Sequence, residues 1–184
     1  MSAATGARDD DQPSWLGRGA LLLALLACFA VFPRLFHRES SVLSGKDAPE
    51  LGIKFVANAP GEATEASLAA FRGHPVLLDF WATWCGPCRM EAPTVDRIAQ
   101  RYRDQGLTVV GVNTSDEQGN AAPFARRNHL SFPIAYDEGQ RAAAAYGVEN
   151  LPTLVVINKE GKIAAVRTGV TSDAELDALV RREL

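Results

Sequence analysis

The chain has 184 residues with 19 Lys and Arg against 22 Asp and Glu, a formal net charge of −3, and is 47% hydrophobic and 22% charged. That balance suits one globular domain with an appendage and leaves no basic footprint for nucleic acid. Three cysteines, Cys28, Cys85 and Cys88, are too few for a disulfide scaffold, so the core must come from apolar packing.

Residues 1–15 are small and polar, with the acidic run Asp9-Asp10-Asp11, and read as a disordered tail. The segment "GRGALLLALLACFAVFPRLFHR" follows. Its unbroken apolar part, Ala20 to Phe32, is short for a span. Extended over 16–36 it reaches the roughly 20 residues a membrane helix needs, with Arg18 and Arg34 near its ends, where cationic side chains snorkel. Three readings stand: a retained signal-anchor helix, a cleaved signal peptide, and a lipoprotein signal ending in "LLAC" at Cys28. The apolar residues Phe29 to Phe32 favour a continuing helix. Arg8 and Arg18 before the segment and Arg34, Arg38 and Lys46 after it give no clean orientation. Residues 37–46 form a polar linker that reaches at most roughly 35 Å.

From residue 47 to 184 strands and helices alternate. "HPVLLDFW" predicts a buried strand over Val76 to Trp81. A helix follows from about Cys85 to Gln105, with Val95, Ile98, Ala99 and Tyr102 at helical spacing, Pro93 as a kink and Gly106 as the stop. Leu107 to Asn113 is the next strand, and "EQGNAAPFARRNH" a second helix. "FPIAYD" reads as a short strand and "GQRAAAAYGV" as a helix closed by Gly147. "PTLVVIN" and "KIAAVRTG" flank a hairpin turn at Glu160-Gly161, and the last helix is capped by Ser172 or Thr171. The alternation predicts a parallel central sheet with an antiparallel edge from the last hairpin.

The chemistry concentrates in "DFWATWCGPCRMEAP", Asp79 to Pro93. Cys85 and Cys88 follow a strand and open a helix, whose unpaired amides and positive dipole favour thiolate over thiol. Cys85 is therefore the expected nucleophile. Cys88, one turn on, is within reach of a disulfide and is the expected resolving thiol. A structural zinc site needs four ligands, and His37, His74 and His129 are scattered without ligand spacing. A static disulfide across two residues closes too small a loop to stabilise much. Asp79 interrupts an apolar run, where an unpaired carboxylate is costly; a buried acid able to take a proton from Cys88 is the functional reading. Trp84 reads equally as packing or as a substrate contact, and Glu91 as a solvated helix residue or a second acid.

This segment resembles the active-site segment of thioredoxin, Gly86-Pro87 included. It is also similar to the membrane-anchored thioredoxin-like proteins of bacterial envelopes, the TlpA/ResA/DsbE type. The likeness implies an α/β thioredoxin fold: a central mixed sheet flanked by helices, a strand-helix insertion over "FPIAYDEGQRAAAAYGV", and an N-terminal membrane helix. Asp79 matches the buried carboxylate of thioredoxin, and Glu91 an acid of the ResA-like branch. Pro152 matches a proline held cis beside the cysteines, although X-Pro bonds are cis in only about 5–6% of cases. Where thioredoxin has a lysine facing the aspartate, this chain places Gly111.

The resemblance implies a membrane-tethered thiol-disulfide oxidoreductase without cofactor or metal. Cys85, Cys88, Asp79 and Glu91 would be catalytic, and Trp84, Gly86, Pro87, Leu151 and Pro152 would contact substrate. Gly-Pro between the cysteines favours a reductant. Expected substrates are protein disulfides, apocytochrome c or a copper-handling protein, and the expected electron donor is a membrane reductase of the DsbD/CcdA kind. The expected setting is the bacterial inner membrane, with a monomeric catalytic domain facing the periplasm. The alternatives are a copper-handling module and a peroxide-reducing redoxin of the envelope.

Overall fold

The computed structural model describes residues 43–61 and 63–184. The tail and the apolar segment, 1–36, lie outside the described residues, as does most of the linker. Among the described residues no helix is long and apolar enough to cross a membrane. The last linker residues are already bonded to the domain: Gly45 N donates to Ile163 O at 2.8 Å, and Ile163 N donates to Lys46 O at 2.9 Å.

Seven strands form one sheet: β1 (Gly52–Ala57), β2 (Glu65–Ser67), β3 (Val76–Trp81), β4 (Thr108–Asn113), β5 (Ile134–Tyr136), β6 (Thr153–Ile157) and β7 (Ile163–Thr168). Their order is β2-β1-β5-β4-β3-β6-β7. Four α-helices complete the domain: α1 (Gly86–Tyr102), α2 (Ala121–Arg127), α3 (Arg141–Ala145) and α4 (Asp173–Arg181). The sheet is mixed, as expected: β5, β4 and β3 run parallel at its centre, the last hairpin is antiparallel, and so is every other pairing. The hairpin β1–β2 is the addition that the sequence pattern did not show. "GIKFVA" is short and "EAS" carries almost no strand signal, so pairing with β5 decides its conformation rather than propensity.

β3 is buried along its whole length, as a central strand covered on both faces must be. Its side chains divide by the period of two. Leu77 and Trp81 join the core that holds α1, α2 and α4, while Val76, Leu78 and Phe80 join the core under α3. Asp79 falls in register with Leu77 and Trp81, so its carboxylate faces the cysteine side. The predicted insertion forms β5 and α3, and β5 lies between β4 and β1 in the sheet.

The first helix is shorter than expected. It runs to Tyr102, then tightens into a 3₁₀ turn that ends at Gly106 in the left-handed region, φ 89°. Pro93 sits on its exposed side, and the helix continues through it as one element. Arg101 and Tyr102 reach Asp177 of α4, each at 2.6 Å, which clips the far ends of the two helices together. Ser172 caps α4 by accepting from Glu175 N at 3.3 Å, and that helix stops at Arg181, short of the predicted end.

Candidate active site

Cys85 is the N-cap of α1 rather than its first residue. Its Sγ accepts from Cys88 N at 3.1 Å, so one of the helix's orphan amides is aimed at the sulfur. Gly86 and Pro87 occupy the first turn, and proline there costs nothing because its missing donor would be unpaired anyway. Cys85 and Cys88 are joined as a disulfide, Cα to Cα 5.3 Å, and both are buried. The predicted juxtaposition of the two sulfurs is therefore present, in the oxidised state.

Two carboxyl groups lie within the core on this side. Asp79 is 4% exposed and its Oδ1 has no hydrogen-bond partner. Burial pushes its carboxyl well above the usual carboxylate range, and the charge of Glu91 adds to the rise. Glu91, on the second turn of α1, is 2% exposed, which removes the solvated-helix reading. Its Oε1 accepts from Thr171 N at 2.7 Å while Oε2 has no partner. Burial raises Glu91 also, against the Thr171 donor, which lowers it. Both acids thus favour the protonated form to higher pH than a solvated carboxyl, the condition for a proton acceptor working near neutrality.

Opposite Asp79 in the β3–β4 register stands Gly111, and opposite it on β6 stands Leu154. No side chain fits at 111. A Cβ there would meet Phe132 at 2.8 Å, Ile134 at 2.9 Å and the Trp81 indole nitrogen at 3.0 Å. The space a facing lysine would need is filled by Phe132, Ile134 and Trp81. Gly111→Ala is accordingly expected to destabilise the domain by about 1–3 kcal/mol, the cost of overpacking a core. A lower urea midpoint at unchanged slope would show it; an unchanged midpoint would contradict the crowding.

The Leu151-Pro152 peptide bond is cis. Leu151 packs against the core cluster that contains both cysteines, and its backbone makes no hydrogen bond among the described residues. The Pro152 carbonyl accepts from Gly169 N at 2.9 Å. Trp84 is 62% exposed, so it does not serve packing. Its indole N–H donates to Ser115 O at 2.8 Å. With Met90 and Val170 it makes up the exposed large hydrophobics of the described residues.

The sequence reading passed over the loop after β4. Asp116 accepts from Thr83 N at 2.6 Å, just ahead of the cysteines. Its signal was the turn-forming run Asn113-Thr114-Ser115-Asp116, whose side chains bond nearby backbone. Among the described residues no three of His, Cys, Asp and Glu converge to hold a metal ion.

A disulfide-bonded cysteine pair at the head of a helix, with a cis proline just before β6 of a mixed sheet of this order, defines a thioredoxin-like thiol-disulfide oxidoreductase. Comparison then places the lineage: the chain belongs to the Redoxin family, whose model matches residues 43–180. It is 34% identical over 161 residues to the thiol-disulfide oxidoreductase ResA of Geobacillus thermodenitrificans (strain NG80-2), covering 86% of this chain and 90% of that protein. It is 30% identical over 159 residues to ResA of Bacillus subtilis (strain 168), covering 85% and 86%. The fold superposes on the crystal structure of a putative thiol:disulfide interchange protein DsbE from Chlorobium tepidum. There the TM-score is 0.68 at 30% identity, covering 78% of this chain and 99% of that one.

Proposed function

We propose that the enzyme works as a membrane-tethered reductant of protein disulfides outside the cytoplasm, apocytochrome c among them. The observation that carries this reading is Cys85 as a helix cap, its sulfur held on the Cys88 amide. That setting favours Cys85 as the attacking thiolate. In the reduced enzyme Cys85 attacks one sulfur of a substrate disulfide. The substrate S–S bond breaks, and the departing thiolate takes a proton from solvent. Cys88 then gives its proton to Asp79 or Glu91 and attacks the Cys85 sulfur of the mixed disulfide. The second substrate thiolate leaves, and two electrons have passed from the cysteine pair to the substrate.

The enzyme is left in the disulfide form, and a dithiol donor must restore it. The resemblance to envelope proteins supports a membrane reductase of the DsbD/CcdA kind in that role. Trp84, Gly86, Pro87, Leu151 and Pro152 supply the substrate contacts, with the unpaired Leu151 backbone available to an extended segment by strand addition. A monomer facing the periplasm, tethered through residues 16–36, completes the reading.

Insulin reduction by the dithiol form, with the cysteine variants as controls, tests the reaction. Fractionation of the full-length chain, with alkaline phosphatase fused after Leu184, tests the setting. A membrane-bound, active fusion is expected. An inactive fusion would place the domain in the cytoplasm, a soluble shortened product would mean cleavage, and lipid on Cys28 would mean a lipoprotein.

A further inference from the structure

The turn that delivers Cys85, residues 83–85, has few bonds of its own: Cys85 N donates to Ala82 O at 3.2 Å. From outside it is held at two points, by the Trp84 indole on Ser115 O and by one acidic side chain on its backbone. The Asp116 carboxylate accepts from four donors. Thr83 N at 2.6 Å and Asn113 Nδ2 at 3.0 Å reach one oxygen; Glu117 N at 2.8 Å and Asn120 Nδ2 at 3.2 Å reach the other. The backbone of the same loop is fixed as well. Tyr136 Oη donates to Asp116 O at 3.1 Å, and Ser115 O accepts the Trp84 indole at 2.8 Å.

Backbone strain marks the same place. Ser115 has φ 54° and Gln140 φ 57°, conformations that non-glycine residues adopt at a cost. Their side chains meet, Ser115 Oγ donating to Gln140 Oε1 at 2.9 Å. Strain of this kind persists only where the surroundings over-determine it. Here the determinants converge on the groove beside Trp84, lined by Thr83, Ser115, Asp116, Tyr136 and Gln140.

We propose that Asp116 is a positioning residue for the redox pair: by gripping the Thr83 amide it fixes the turn that presents Cys85 and Trp84 to a substrate disulfide. Its ionisation fits the task. Burial pushes the carboxyl up, but the donors from Asn113, Thr83 and Asn120 outweigh that and hold it at about 2. The grip is therefore an anionic acceptor at every working pH, and charge-assisted bonds are the stronger kind. The inference rests on the reductase reading for its consequence, but not for its geometry.

Asp116→Ala and Asp116→Asn separate the possibilities. Asparagine keeps one oxygen that can still accept from Thr83; alanine keeps none. Two quantities are read in each reduced protein: kcat/KM for insulin reduction, and exchange of the Thr83 amide hydrogen by NMR, which needs no substrate. Alanine is expected to lower kcat/KM by up to about 10²-fold, the scale of a reacting group misplaced by about 1 Å. It should also release Thr83 to fast exchange, at an unfolding midpoint still far above the assay temperature. Asparagine is expected to restore most of both. Wild-type kcat/KM in the alanine variant would overturn the proposal, as would equal losses in both variants that track a falling midpoint. A wild-type enzyme that reduces no disulfide while its Thr83 amide stays protected would instead defeat the functional reading and leave the clamp standing.

Discussion

Replacing Cys88 with serine is expected to leave an enzyme that attacks its substrate and cannot let go. Cys85 keeps its place as the helix cap, and its attack on a substrate disulfide needs nothing from Cys88 beyond the backbone amide, which serine also has. The mixed disulfide should then accumulate, because the thiol that would resolve it is gone. Cys85→Ser removes the nucleophile itself and should form no adduct, with exchange falling by at least about 10³-fold. Non-reducing electrophoresis of the two variants in the presence of a disulfide substrate distinguishes them. Adducts on Cys88 in the Cys85→Ser protein, at the rate seen for Cys85, would reverse the roles of the two thiols. The trapped partners, identified by mass spectrometry, would also name the physiological substrate.

Asp79→Asn is expected to make the domain more stable and the enzyme slower. In the unfolded chain this carboxyl ionises near the ordinary value of about 3.9. In the folded domain burial, with the charge of Glu91, raises it well above that. The sign follows from linkage. Wild-type stability from this group is full below the unfolded value and is lost as pH rises toward and through the folded one. Asparagine does not titrate, so the gap between variant and wild type should be small near about pH 4 and widen to about 1–3 kcal/mol at neutrality, the usual cost of a buried group without partners. Urea unfolding across pH measures it, and a gap that does not change with pH would contradict the raised ionisation. Loss of a positioned proton acceptor should slow resolution of the mixed disulfide by about 10²-fold or more. Glu91→Gln keeps the acceptor for Thr171 N and should affect the rate more than the stability. Whichever variant slows release more identifies the acid that receives the Cys88 proton.

The legible part of this site was the part written in local chemistry. Val76–Trp81 stood out as a run of strand formers, and the cysteines after it fixed where the helix had to begin. Asp79 was conspicuous because a charged residue in such a run has a reason to be there. The resemblance to thioredoxin put Gly111 opposite Asp79, where thioredoxin has a lysine, and the register agrees. What stayed hidden depends on contacts between distant segments. Glu91 is buried and bonded to Thr171 of the loop before α4, 80 positions away in sequence. Asp116 looks like any acidic turn residue until the fold sets the Thr83 amide 2.6 Å from its carboxylate. The hairpin β1–β2 is held by its neighbours, and three residues such as Glu65–Ser67 carry too little pattern to announce a strand.

The way the chain joins its domain also bears on behaviour in a crowd. β7 is an outer strand, and an outer strand offers free backbone groups to any copy that comes alongside. Here the entering chain occupies one end of that rim: Gly45 and Lys46 bond Ile163, and Asp47 bridges to Lys162 both through backbone and through its carboxylate, 2.9 Å from the ammonium. At the other end Arg167 spreads its guanidinium between Val166 O and Glu175. A second molecule arriving edge-on therefore meets occupied hydrogen-bonding groups at one end and a fixed charge at the other.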